Sequence, residues 1–339
     1  MNWLRKLLFP FALLYGLITS VRNVLYDIGV LKAYSFDIPV IAVGNLSVGG
    51  TGKTPQIEYL IRLLSPQYKV ATLSRGYKRQ SKGFVLADPS ATAGSLGDEP
   101  FQYFKKFPQI QVAVDADRRN GINNLLASPV KPEVILLDDA YQHRKVKAGF
   151  YILLTTYDDL FCDDFMLPVG NLREGRRGAK RADMIIVTKC PPTISQLAQR
   201  TIKNKIRLKI PVFFSCIAYD NTIYNGTHSM SVAESKTKQA LLLAGIAKPK
   251  PFFSFMDATK ENVMVFPDHH HFTDTDISNI KTKAANRIII TTEKDFVRLP
   301  ADVLKEQLYY LPIRSQLIAN QDAFDQTILN YVGTCTRNR

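Results

Sequence analysis

Residues 40–54 read Val-Ile-Ala-Val-Gly-Asn-Leu-Ser-Val-Gly-Gly-Thr-Gly-Lys-Thr, an apolar run that passes into a glycine-rich loop ending in Gly52-Lys53-Thr54. Few local sequences constrain a fold so tightly. A buried strand, a loop nearly free of side chains and a helix after it make a phosphate cradle. Glycine lets successive backbone N–H groups point at phosphate oxygens where a Cβ would obstruct the approach. Ser47, Val48, Gly49, Gly50, Thr51, Gly52, Lys53 and Thr54 are therefore the expected nucleotide-binding residues. Lys53 would reach the β- and γ-phosphates, and the Thr54 hydroxyl would hold Mg²⁺. Pro55 reads as a first helical position, which aims the positive end of the helix dipole at the same phosphates. Ser47 stands where the strict pattern has glycine. An ordinary turn, however, has no use for the Lys-Thr ending.

A second string supports the first. Glu133 to His143 reads Glu-Val-Ile-Leu-Leu-Asp-Asp-Ala-Tyr-Gln-His, a short apolar run closed by paired acids. In a parallel sheet covered by helices such a run is a buried strand, and its acids emerge at the C-terminal end beside the phosphate loop. Asp138 or Asp139 is thus an expected Mg²⁺ ligand, directly or through water.

The chain has 339 residues, enough for two domains with cores of their own. Its cysteines, at 162, 190, 216 and 335, have no paired spacing and read as reduced thiols in a cytosolic protein. A net charge of +14 favours anionic partners. No zinc-finger spacing, RNA-binding signature or basic-aromatic stripe points to nucleic acid. Membrane phosphates and a phosphorylated substrate remain. Arg173, Arg176, Arg177, Lys180 and Arg181 cluster among glycines, as a solvated basic loop or a flexible substrate loop would. Leu7 to Ile18 is almost wholly apolar, with Arg5 and Lys6 before it and Arg22 after it. It is shorter than the ~20 residues that span a bilayer, and it contains Pro10. An interfacial helix is expected, with Trp3, Phe9, Phe11 and Tyr15 among lipid headgroups; a helix packed on the protein's own core is the alternative.

Apolar runs at 40–44, 70–73, 110–114, 134–138, 151–155 and 184–188 alternate with helix-length segments, the rhythm of a doubly wound parallel sheet. The expected architecture is a P-loop NTPase-like α/β core over 33–210, preceded by an interfacial helix within 1–32. A two-stranded hinge over 211–226 would turn at Asn225-Gly226, and a smaller α/β lobe over 227–339 would close with a helix near 321–332. Two further strings can carry chemistry. Gly97-Asp98-Glu99-Pro100 opens a helix, where acids are favoured by the dipole whatever their role. Phe266-Pro-Asp-His-His-His-Phe272 cannot turn three adjacent histidines onto one ion without distortion, so one histidine as an acid/base or carboxylate partner fits better.

Taken in order, these strings resemble the tetraacyldisaccharide 4′-kinase family of lipid A biosynthesis. The resemblance runs through Val43–Thr54, Leu73-Ser-Arg-Gly-Tyr77, Gly97–Pro100, Val112-Ala-Val with Arg118, and Leu137-Asp-Asp-Ala-Tyr-Gln-His143. It continues through Pro168-Val-Gly-Asn-Leu-Arg-Glu174, Phe266-Pro-Asp-His269 and Thr292-Glu-Lys-Asp295. The resemblance implies a kinase peripheral to the cytoplasmic face of the bacterial inner membrane. Such an enzyme uses ATP and Mg²⁺ to phosphorylate the 4′-hydroxyl of a tetraacylated glucosamine disaccharide 1-phosphate. It further implies Asp98 as catalytic base with His269 as its partner, and Thr54, Glu99, Asp138 and Asp139 as the Mg²⁺ set. Arg118, Gln142, His143, Asn171, Arg173 and Glu174 would line the substrate or γ-phosphate region. Histidines at 270 and 271 leave open which of the three partners Asp98.

The competing reading is a membrane-docking ATPase switch of the partitioning type, whose signature lysine would stand where this chain has Val48. A GTPase is disfavoured because Thr188-Lys189-Cys190-Pro191 lacks the aspartate that reads guanine. A basic scaffold that only binds nucleotide would leave Asp98 and the Arg173 loop without purpose.

Overall fold

Strand β1 (Val40–Asn45) is buried along its whole length because alternate side chains enter different cores. Ile41 and Val43 pack with Ile57, Leu60 and Ile61 of the helix Lys53–Leu64. Val40 and Ala42 pack on the opposite face with Ile122 and Leu125 of the helix Arg118–Ala127. Strand β5 (Val134–Asp138) divides the same way, Val134 and Leu136 against Ile135 and Leu137. A parallel sheet covered on both faces has no solvent side, which is why both runs are continuously apolar.

These features come from a computed structural model that describes residue 5 and residues 7–268, 270–299, 304 and 306–337. The remaining strands of the large sheet are β2 (Val70–Ser74), β3 (Val85–Leu86), β4 (Gln111–Val114), β6 (Phe150–Thr156), β7 (Met184–Thr188), β8 (Val212–Tyr219) and β15 (Ile313–Leu317). Their order is β15-β8-β7-β6-β1-β5-β2-β4-β3. Neighbours from β8 to β4 run parallel, and the edge strands β3 and β15 are antiparallel. The second sheet uses β9 (Thr222–Tyr224), β10 (Ser229–Ser231), β11 (Leu241–Ala244), β12 (Val263–Val265), β13 (Ile289–Thr292) and β14 (Leu308–Leu311), in the order β10-β9-β14-β13-β11-β12. It too has a core on each face, Leu242 and Ile290 on one and Leu241, Leu243 and Ile289 on the other. The doubly wound core and the smaller α/β lobe therefore form as the alternating pattern predicts.

The connections differ from expectation in two places. Val212–Cys216 and Thr222–Tyr224 do not pair as a hinge. The first piece belongs to β8, hydrogen-bonded to β7, and the second joins the smaller sheet as β9. Asn225-Gly226 does turn β9 into the antiparallel β10. The C-terminal helix, Gln321–Arg337, does not close the smaller lobe. The chain returns through β15, and Phe324, Ile328 and Val332 are fully buried in the large sheet's core with Ile41 and Ile57. Phe324 meets Tyr59 and Phe213 edge-on, and the Tyr331 hydroxyl donates to the Val40 carbonyl at 3.2 Å. An apolar helix face records that it is covered, not which sheet covers it.

The lobes meet across a buried charge cluster. Glu58, on the helix Lys53–Leu64, accepts from Lys106 at 2.7 Å, Arg62 at 2.9 Å and Gln102 at 2.8 Å. Lys106 also pairs with Glu293 of the smaller lobe, whose second oxygen accepts from the Ile313 N–H at 3.1 Å. Burial, reinforced by Glu58, pushes the Glu293 carboxyl up to about 7 against the pull of Lys106. A carboxyl raised above its unfolded value contributes stability that is fully present at low pH and lost as pH rises through that raised value. Relative to Glu293→Gln, the wild type should therefore lose thermal stability between about pH 5 and about pH 8. A difference in melting temperature that stays constant across that window would show that Glu293 is charged throughout.

Candidate active site

The phosphate loop leaves the C-terminal end of β1 and enters the helix Lys53–Leu64. Gly49 and Gly52 have φ of +106° and +83°, in the left-handed region that side chains resist. Pro55 is the third helical residue rather than the first, still within the turn whose N–H groups have no partner in the helix. The loop is pinned from both sides. Thr188 Oγ1 donates to the Thr51 carbonyl at 2.8 Å and Lys189 Nζ to the Gly50 carbonyl at 2.6 Å. On the other side Val48 N donates to the Asn171 carbonyl at 2.8 Å, Arg173 N donates to the Leu46 carbonyl at 2.7 Å, and Ser47 bridges to Leu172. Asn171 thus acts on the loop through its backbone.

Charge concentrates where β1 and β5 end. Lys53 Nζ lies 3.4 Å from Asp139 Oδ1 and 3.5 Å from Asn45 Oδ1. Arg173 forks onto Asp139 at 2.8 and 3.2 Å and also donates to the Asn45 side chain. Asp139 takes up a φ of +48°, a conformation aspartate tolerates better than most residues. Burial opposes its ionisation, yet Lys53 and Arg173 hold its carboxyl well below the usual range. Asp138 behaves in the opposite way. Burial pushes its carboxyl up to about 6, Lys53 pulls it down, and Asp139 and Glu99 push it up further. Asp138 Oδ2 accepts from the Tyr103 hydroxyl at 3.3 Å, whereas its buried Oδ1 has no hydrogen-bond partner among the described residues.

The residues expected around the substrate separate into two sets. Arg118 is only 1% exposed; it donates to the Asp115 carbonyl at 2.8 Å and the Asp138 carbonyl at 3.3 Å, so it bears on the cleft through the Asp138 backbone. Glu174 is fully buried and accepts from Asn23 at 2.8 Å, Gln142 at 3.1 Å and Arg181 at 2.7 Å. Gln142 also donates to the Asn45 carbonyl at 2.8 Å. His143 and Arg173 are only half-buried, at the cleft. Burial, with Arg118 and Arg75 nearby, lowers the His143 imidazole to about 4, so it is neutral at neutral pH. The basic cluster is no loose loop. Arg176–Arg181 is a 3₁₀ turn, Arg176 donates to the Asp164 carbonyl at 2.8 Å, and Arg181 stacks on Tyr141.

Asp98 and Glu99 begin the helix Asp98–Lys106. The Arg298 side chain reaches Asp98 from the smaller lobe, Nε to Oδ2 at 2.9 Å. His269 lies outside the described residues. His270 Nε2 sits 3.0 Å from Asp276 Oδ2, which also accepts from Thr273 at the start of the helix Asp274–Ala284. His270 thus belongs to a helix cap, and His271 is exposed.

The N-terminal helix runs from Phe9 to Asp27, longer than the apolar stretch indicates. Its continuation is polar and docks: Asn23 bonds Glu174, and Arg144 pairs with Asp27 at 2.6 Å. Tyr15, expected among headgroups, instead donates to the Arg173 carbonyl at 2.9 Å. Phe9, Phe11, Leu13, Leu14, Leu17 and Ile18 remain exposed; Trp3 and Lys6 lie outside the described residues.

The sequence profile of the tetraacyldisaccharide-1-P 4′-kinases, LpxK, matches residues 4–333. The chain belongs to the tetraacyldisaccharide 4′-kinase family. Relatives of that name from Flavobacterium psychrophilum and Flavobacterium johnsoniae are 63% and 64% identical, over 100% and 98% of both chains respectively. The structure of Aquifex aeolicus LpxK in complex with ATP superposes with a TM-score of 0.81 at 31% identity, over 97% of this chain and 99% of that one. Within this family frame, the structure adds Asn45, Tyr103 and Arg298 to the residues singled out from the sequence. Asn45 was legible as the polar end of an apolar strand. The others declare themselves only through partners distant in the chain.

Proposed function

We propose that this kinase transfers the γ-phosphoryl group of ATP to the 4′-hydroxyl of a tetraacylated glucosamine disaccharide 1-phosphate. The observation that carries the reading is the Lys53–Asp139–Arg173 cluster at the mouth of the phosphate loop, next to Asp138, whose carboxylate Tyr103 of the helix Asp98–Lys106 reaches. Phosphoryl transfer asks a protein mainly for positioning and charge stabilisation. Lys53 and Arg173 are cations already facing the mouth of the loop, and Asp139 orients both before phosphate arrives. Asp98 is assigned to accept the acceptor hydroxyl's proton, with His269 as its partner. Neutral His143 can donate or accept a hydrogen bond to the sugar without adding charge.

The acids fit a divalent cation. The buried Asp138 Oδ1 has no hydrogen-bond partner among the described residues, a free acceptor that a cation or its water can use. Among the described residues no His, Cys, Asp and Glu side chains form a metal cage by themselves. Mg²⁺ bound through one or two carboxylates and nucleotide phosphates needs no such cage. Thr54, Glu99, Asp138 and Asp139 would hold it, and when bound it neutralises charge on the β- and γ-oxygens. The test is phosphate transfer from radiolabelled ATP to the disaccharide 1-phosphate in detergent micelles. ATP turnover that ignores the glycolipid would overturn the assignment.

No described helix is long and apolar enough to cross a membrane. The exposed apolar face of Phe9–Asp27 supports a lipid surface as partner, at the cytoplasmic face of the inner membrane where ATP is available. Leu13 and Leu17 are 60% and 61% exposed and lie away from the docking contacts of Tyr15 and Asn23. Leu13→Glu combined with Leu17→Glu should move the protein to the soluble fraction and raise the KM for micellar glycolipid, leaving the KM for ATP unchanged. Unaltered pelleting with membranes would rule out this face as the anchor.

A further inference from the structure

The helix Asp98–Lys106 is held at both ends by one short stretch of the smaller lobe. At its C-terminal end Lys106 pairs with Glu293. At its N-terminal end Arg298 places Nε 2.9 Å and Nη2 2.5 Å from Asp98 Oδ2. The guanidinium is the more buried partner, its side chain 8% exposed against 26% for Asp98. Behind it, Arg298 Nη1 lies 3.6 Å from Oδ1 of Asp295, a residue with no exposed surface. Asp295 is itself fixed, its Oδ2 accepting from the Gly245 N–H at 2.8 Å and the Thr292 hydroxyl at 2.7 Å. Gly245 follows β11, and Thr292 ends β13. A continuous set of polar contacts and ion pairs therefore runs from the smaller sheet through Asp295 and Arg298 to Asp98.

We propose that Arg298, anchored by Asp295, is a positioning residue that orients the Asp98 carboxylate for proton acceptance. The proposal rests on the reading of Asp98 as the base. Nε and Nη2 converge on Oδ2, so they fix the position of that oxygen and offset part of the carboxylate's charge. Because Arg298 and Asp98 belong to different lobes, the orientation holds only while the lobes meet. A displacement of about 1 Å at a reacting group can cost about 10²-fold in rate, the scale on which such a device acts.

A mutant cycle tests this. Wild type, Arg298→Ala, Asp98→Ala and the double variant are compared for kcat and for the KM of ATP, with melting temperatures alongside. Arg298→Ala is expected to lower kcat by about 10- to 10²-fold, with the KM for ATP changed by less than about twofold. In the Asp98→Ala background the same substitution should cost less than about twofold, because nothing remains to be oriented. Arg298→Lys should recover part of kcat, since lysine keeps the charge and loses the fork. Asp295→Asn should reproduce part of the kcat loss without touching Asp98. A full Arg298→Ala loss that persists without Asp98 would overturn the positioning role and leave the base assignment intact. An Asp98→Ala enzyme with near wild-type kcat would overturn both.

Discussion

Asp98→Ala is expected to lower kcat by about 10²- to 10⁴-fold, the range that general-base catalysis supplies. The KM for ATP should move far less. Asp98 opens its helix and is held by Arg298 from the other lobe, and the proposed role as base has it meet the acceptor rather than the nucleotide. Its side chain is 26% exposed, and the helix keeps Glu99 as a first-turn acid, so the fold should survive the change. Steady-state kinetics with the glycolipid varied and with ATP varied separate these effects. A loss confined to the KM for ATP would assign Asp98 to nucleotide binding and defeat its role as base.

Lys53→Ala is expected to cost about 10²- to 10³-fold in kcat, the typical penalty for removing one preorganised charge stabiliser. The structure adds a second consequence. Lys53 and Arg173 together hold the Asp139 carboxyl ionised despite its burial. A carboxyl depressed in the fold contributes stability above its ordinary range and loses it as pH falls. Without Lys53 only Arg173 opposes the burial, so activity of the variant should decline at a higher pH than in the wild type. The Lys53 side chain is 21% exposed and faces the loop mouth, so melting temperature should change little. Activity within about threefold of wild type, less than 1 kcal/mol of barrier, would remove Lys53 from the phosphate site.

Much of this enzyme could be read from short strings, because each depends on local physics. A run such as Val40–Val43 or Val134–Leu137 is apolar at every position only where both faces are covered, which identifies buried parallel strands before any partner is known. Glycines at 49 and 52 and the Lys-Thr ending mark a phosphate loop for reasons internal to the loop. The acids at 138 and 139 follow from the position of a strand end. The opposite fates of those acids could not be read in the same way. Asp139 is held ionised by Lys53 and by Arg173, which is 34 residues away, whereas Asp138 faces Tyr103 and buried surface. Adjacent residues with one side chain chemistry acquire different charges from neighbours that chain order does not reveal.

The sequence by itself determined the doubly wound core, the phosphate loop, the smaller α/β lobe and an amphipathic first helix, since periodicity and turn chemistry act over a few residues. Tertiary structure alone decided where the returning chain goes. β15 and the helix Gln321–Arg337 join the large sheet, because Phe324, Ile328 and Val332 find their cover beside Ile41 and Ile57. It also decided that Tyr15 and Asn23 dock onto the Arg173–Glu174 segment while the leucines beside them stay exposed. It brought Arg298 to Asp98, a pair separated by 200 residues. An apolar face or an ion pair is satisfied by whichever complementary surface the fold presents, and that choice belongs to the packing of the whole chain.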